Sequence, residues 1–144
     1  MAAVSRSVAA LRVAGDDLRV AEVSRLIGRE PSLAYEKDQT FEVRGRVHTR
    51  KSGLWLVRVP GSEPENLDAQ IRALLESVSD SPDVWQLLHD RYRVDVFCGL
   101  FLGQGNEGFE LDPSTLAALA HRNLTVGFDI YGPEQSEEGR DGEV

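Results

Sequence analysis

The stretch Tyr92–Gly132 constrains the fold more than any other part of the chain. Between Tyr92 and Cys98 apolar and polar residues alternate. Tyr92, Val94, Val96 and Cys98 share one face and Arg93, Asp95 and Phe97 the other, the period-two signature of a half-buried strand. The Gly103–Gly108 segment (GQGNEG) reads as a hairpin turn whose glycines supply positive φ, with a strand returning through Glu110. It lacks the lysine and following helix of a phosphate-binding loop. Asp112-Pro113 then opens a helix over 113–121 with Leu116 and Leu119 buried. Asn123 ends it, and Val126, Phe128 and Ile130 line the inner face of a last strand.

The preceding residues supply the layers such a sheet needs. Val8–Ala14 alternates, with Ala9, Leu11 and Val13 facing one way, and Gly15-Asp16-Asp17 reads as a turn. A helix over 20–27 carries Val20, Val23, Leu26 and Ile27 on one face and is stopped by Gly28 and Pro31. Ser32–Thr40 is polar and ambiguous between a short edge strand and a loop. Phe41–His48 alternates, with Phe41, Val43 and Val47 directed at the core. Arg50–Gly53 is taken as the turn of a hairpin returning through Leu54–Val59, with Trp55, Val57 and Val59 inward. Two helices follow. One runs over 67–78 on Leu67, Ile71, Leu74, Leu75 and Val78. The next starts at Ser81-Pro82, stops near His89 and packs Val84, Trp85, Leu87 and Leu88. An offset of 93 residues lays LRVAEVSRLI over LDPSTLAALA with matching apolar positions, as a duplicated βα unit would.

Composition narrows the class. With 144 residues, 41% hydrophobic and 28% charged, the chain suits one soluble domain with a real core. Residues 1–132 are assigned to that domain and 133–144 to an acidic, disordered tail. The tail carries five carboxylates against Arg140, half of the net charge of −8. The acidity disfavours nucleic acid as a partner, and no apolar run is long enough to span a bilayer. The opening MAAVSRSVAALRVAG is interrupted by Arg12 and suits a strand better than a targeting signal. Cys98 is the one cysteine, which excludes an intrachain disulfide and suits a reducing, cytoplasmic setting.

Several stretches together resemble a bacterial family, domain of unknown function 4279. They are GDDL (15–18), LIGREP (26–31), GLW (53–55), YRVDVFCG (92–99), GFEL (108–111) and FDIYG (128–132). The resemblance covers about residues 8–132 and implies a small bacterial α+β domain, with no activity or catalytic residues to carry over. Members usually open the first helix with an Asp-Pro-like cap, where this chain has Arg19-Val20. The expected architecture is α+β, a mostly antiparallel sheet of about five or six strands with three or four helices largely on one face. Ferredoxin-like and duplicated βα arrangements are the two topologies entertained.

Functional chemistry is sparse. His48, His89 and His121 lie in separate elements without metal-ligand spacing, so neither a metal nor another cofactor is expected. His89 and His121 fall in last helical turns, where positive charge suits the dipole. Cys98 faces inward with no nearby histidine to activate it, and Asp16-Asp17 suit a turn better than acid–base work. No catalytic residue is assigned. The collective signal is the outward row of Arg12, Arg44, Arg46, His48, Arg58, Arg93, Asp95, Phe97, Glu110, Asp129 and Tyr131, rich in arginine for an acidic chain. It reads either as cross-strand ion pairing or as an interaction face. The expected function is therefore a non-enzymatic domain that binds another protein or a second copy through the open sheet face or an edge strand, in an immunity-like role. The alternatives are a small-ligand site near Gly103–Gly108 and Tyr131, and an enzyme in which Asp95, Glu110, Asp129, Tyr131 and His48 converge.

Overall fold

The computed structural model describes residues 2–133, so all of the expected tail beyond Pro133 lies outside the described residues. In chain order the elements are β1 (Ala2–Ala3), β2 (Arg6–Gly15), α1 (Val20–Ile27), β3 (Leu33–Tyr35), β4 (Thr40–Val43), β5 (Arg46–Thr49) and β6 (Gly53–Arg58). There follow α2 (Leu67–Glu76), α3 (Pro82–Arg91), β7 (Arg93–Phe101), β8 (Glu107–Gly108), α4 (Pro113–His121) and β9 (Thr125–Tyr131). Five strands form one sheet in the order β3-β6-β2-β7-β9, antiparallel except for the parallel β7–β9 pair. The fold is α+β with a mostly antiparallel sheet, and the opening segment is its central strand.

Alternation decides what each strand buries. Ala9, Leu11 and Val13 of β2, Trp55 and Val57 of β6, and Val94, Val96, Cys98 and Leu100 of β7 all face one side. The helices cover that side with Val23 and Ile27, Leu67, Ile71, Leu74 and Leu75, Trp85 and Leu88, and Leu119. Burying each large aliphatic contributes about 1.5–3 kcal/mol. The polar ends of the two buried indoles are satisfied: Trp55 Nε1 donates to Ser24 Oγ at 3.0 Å and Trp85 Nε1 to Ser79 O at 2.8 Å. Gln70 ties α2 to β2, accepting from Ser7 Oγ at 2.5 Å and donating to Ser7 O at 3.1 Å.

Two strands of the sheet are each followed by a helix, β2 by α1 directly and β7 by α4 after β8. The two strands are neighbours in the antiparallel β2–β7 pair. They differ afterwards, since β6 returns antiparallel to β2 whereas β9 runs parallel to β7.

Helix starts and stops follow local chemistry. Gly28 (φ 81) and Asn123 (φ 53) take the left-handed conformation beyond α1 and α4, and Pro82 and Pro113 sit in the first turns of α3 and α4. The missing cap on α1 is supplied from elsewhere. Glu36, in the segment after β3, accepts the Val20 N–H at 2.9 Å and pairs with Arg19 at 3.2 Å.

Several expectations are corrected. Phe41–His48 is not one strand returning through Leu54–Val59. It folds on itself as the β4–β5 hairpin around Arg44 (φ 52) and Gly45 (φ 78), a separate two-stranded sheet, while β6 pairs with β2 and β3. Val43 and Val47 are therefore exposed, Val47 at 71%. The Gly103–Gly108 segment is not a hairpin turn either: β8 pairs in parallel with β1, and none of these glycines has positive φ. Their smallness serves close approach instead, because a Cβ on Gly103 would lie 2.2 Å from Ser5 Oγ. Leu87, Leu116, Phe128 and Ile130, all expected in the core, are exposed. Helix α2 ends at Glu76 and α3 continues to Arg91.

Candidate interaction face

With the helices on one side, none of the described helices covers the other face of the sheet, and two clusters stand on it. In the first, Arg12 on β2 lies directly opposite Asp95 on β7. Its Nε and Nη2 donate to the two carboxylate oxygens at 2.8 Å each, and its guanidinium lies 4.7 Å from the Phe97 ring centre. The hydrogen bonds to Asp95 raise the Arg12 pKa, partly opposed by burial. A fork held this way presents a flat, preorganised cation beside an aromatic ring.

The second cluster lies further along the same strands. Phe101 and Tyr131 stack with centres 4.7 Å apart and planes 8° from parallel, Arg6 lies 5.1 Å from the Phe101 centre, and Tyr131 donates to Asp129 at 2.7 Å. Gly99 and Gly127 keep the surface between the clusters low. Val8 leans over Gly99, where a Cβ would lie 2.7 Å from its Cγ2.

The sequence-derived row is thus only partly assembled. Arg12, Arg58, Arg93, Asp95, Phe97, Asp129 and Tyr131 lie on the five-stranded sheet, Arg58 opposite Ala10 and Arg93 opposite Ala14. Arg44, Arg46 and His48 do not. They belong to the β4–β5 hairpin, because a two-residue turn closes it before it can reach the sheet. Glu110 is also displaced, to an open groove of about 520 Å³ where Glu65, Asp68, Glu110 and Asp112 surround Phe109. Asp68 accepts the Asp112 N–H at 2.8 Å. Burial works against its ionisation, but that bond and nearby Arg72 hold its pKa below the ordinary value.

The residues required for an acid–base cleft do not converge. Asp129 is level with Gly99, four residues along β7 from Asp95, a separation of about 13 Å. His48 stacks on Phe41 at 5.3 Å, His89 donates to Arg122 O at 3.0 Å, and His121 lies 2.9 Å from Asp80 O. At the expected ligand site, the Gly103 and Gln104 N–H groups both point at the Glu107 carboxylate, so the protein's own anion fills that nest. Burial pushes the Cys98 thiol up to about 12.

Sequence reasoning missed three contributors. Arg6 was not singled out, although its period-two spacing from Arg12 along β2 puts both on one face. Arg50, taken as a turn residue, lies 3.8 Å from the ring centres of both Tyr35 and Phe41 and fastens the hairpin to edge strand β3. Phe101 lies at the end of β7, where alternation already places it with Phe97.

Among the described residues no helix is long and apolar enough to cross a membrane. A family model described as "Domain of unknown function (DUF4279)" matches residues 5–133. No curated protein and no solved structure matches the chain.

Proposed function

The chain belongs to the DUF4279 family, and we propose that it is a non-enzymatic bacterial interaction domain that binds another polypeptide on the open face of its sheet. The observation that carries this reading is the pair of arginine–aromatic–carboxylate clusters, Arg12–Phe97–Asp95 and Arg6–Phe101–Tyr131–Asp129, on the uncovered face. Arginine and aromatic groups held in place lose little entropy on binding and contribute disproportionately to interface affinity. The separation of Asp95 from Asp129 and the unreactive Cys98 thiol weigh against catalysis.

An immunity-like role against a toxin in the cytoplasm is the biological form of this reading. Affinity capture with the tagged full chain in its native host tests it. The wild type is expected to enrich a defined protein that Arg12→Ala and Phe97→Ser variants lose while keeping their fold. Recovery of nothing above background, or equal recovery by folded face variants, sinks the proposal.

A further inference from the structure

The long free edge of the sheet carries a second inference. Strand β9 ends the five-stranded sheet and, among the described residues, pairs there with β7 alone. The opposite edge, β3, has three residues; β9 has seven and contains no lysine, arginine or proline, the residues that usually blunt an edge. Phe128 and Ile130 are 43% and 57% exposed, and on the same side Leu116 of the crossover helix α4 is 51% exposed.

The direction of the unpaired backbone groups follows from the β7 pairing. Leu102 N–H donates to Tyr131 O at 3.0 Å, so the polar groups of Thr125, Gly127, Asp129 and Tyr131 point at β7. Those of Val126, Phe128 and Ile130 point away from the sheet. We propose that this edge pairs antiparallel with β9 of a second copy, about a two-fold axis at Phe128, joining two five-stranded sheets into one of ten strands.

The self-complementarity of β9 selects that register. Phe128 is the midpoint of the strand, so Thr125 meets Tyr131 and neither end overhangs. Phe128 meets Phe128 and Val126 meets Ile130, which are the residues whose backbone groups face outward, as alternate hydrogen-bonded pairs in an antiparallel ladder require. Their side chains form one apolar row on the helix-covered side. On the open face Asp129 meets Gly127. An axis moved one residue to Asp129 would set two carboxylates directly opposite each other. The axis keeps both open faces on the same side, so two sets of arginine–aromatic clusters become contiguous.

The test is the mass of the purified full chain by light scattering and sedimentation equilibrium. The wild type is expected to reach twice 15.9 kDa with rising concentration, and Ile130→Lys to remain a monomer with unchanged circular dichroism. Register is tested at Gly127, where a Cβ meets nothing within 4 Å and φ is not positive. Gly127→Lys sets a lysine against Asp129 of the other copy at two symmetric places and should tighten the dimer about 2- to 30-fold; Gly127→Asp should loosen it comparably. Both effects should shrink at high salt. A monomeric wild type at every concentration, or a dimer indifferent to Ile130→Lys or to charge at position 127, overturns the proposal. None of these readouts depends on a foreign partner, so loss of the dimer and failure of the open-face reading are separable.

Discussion

Arg122 is 7% exposed, and its guanidinium donates to three backbone carbonyls, Ser79, Ala118 and Leu75, at 3.3, 3.1 and 3.3 Å. It gathers the C-terminal ends of α2 and α4 and the segment after α2. Burial lowers its pKa, partly offset by nearby Asp80. A lysine carries its donors on one nitrogen and cannot reach the three carbonyls that Nε, Nη1 and Nη2 reach separately. Arg122→Lys should therefore destabilise the fold by about 1–3 kcal/mol, read as a lower denaturant midpoint at unchanged slope. Glu36 acts at the same scale. Its bond from the Val20 N–H, and then its pairing with Arg19, hold its pKa below the ordinary carboxylate value. A group with a depressed folded pKa stabilises above its unfolded pKa, and that contribution is lost as pH falls through the folded value. The melting temperature of Glu36→Gln should thus lie below wild type near neutrality and converge with it below about pH 4.

At the scale of elements, the β4–β5 hairpin shows how a small sheet is attached to a larger one. Its strands have little buried area, and Arg50 over the rings of Tyr35 and Phe41 supplies an aromatic–cation–aromatic clasp, with His48 stacked on Phe41 across the hairpin. Stacked arginines of this kind contribute about 0.5–2 kcal/mol. Arg50→Ala should release the hairpin as a unit. Amide exchange should rise across 40–49 while β2 and β7 keep wild-type protection. Uniform acceleration across the sheet would contradict a local role. The helices needed no such clasp to be found from sequence. Their ends are punctuated by Gly28, Pro82, Pro113 and Asn123, and the stated bounds of α1 and α4 match.

For the whole molecule, the open face lets stability be separated from the proposed binding. Arg12 and Asp95 are each more than a third exposed or nearly so, and such pairs contribute at most about 1 kcal/mol. Arg12→Ala should shift the unfolding midpoint only slightly while abolishing capture of a partner. What sequence revealed and concealed follows the same division. Inward rows in β2, β6 and β7 were legible because helices cover them and alternation is enforced by burial. The row on β9 was misjudged because alternation reports a common face and not whether anything lies over it; Phe128 and Ile130 sit on an edge with incomplete cover. Arg44, Arg46 and Glu110 were misassigned because strand pairing is not encoded in a strand's own period. The Arg44-Gly45 pair between two alternating runs was the available signal for a tight hairpin.

Cys98 lies at the centre of the sheet, fully buried between Ala9 on β2 and Phe128 on β9, with its thiol pushed up to about 12. An aromatic disulfide reagent can reach this sulfur only after the two central layers part. The chain therefore carries its own clock of opening, read without any engineered label. Modification in native buffer should be slow, and its logarithm should rise linearly with denaturant toward the rate of the unfolded chain. Rapid labelling of the folded protein would mean that the sheet breathes at its middle, beneath the face proposed to bind.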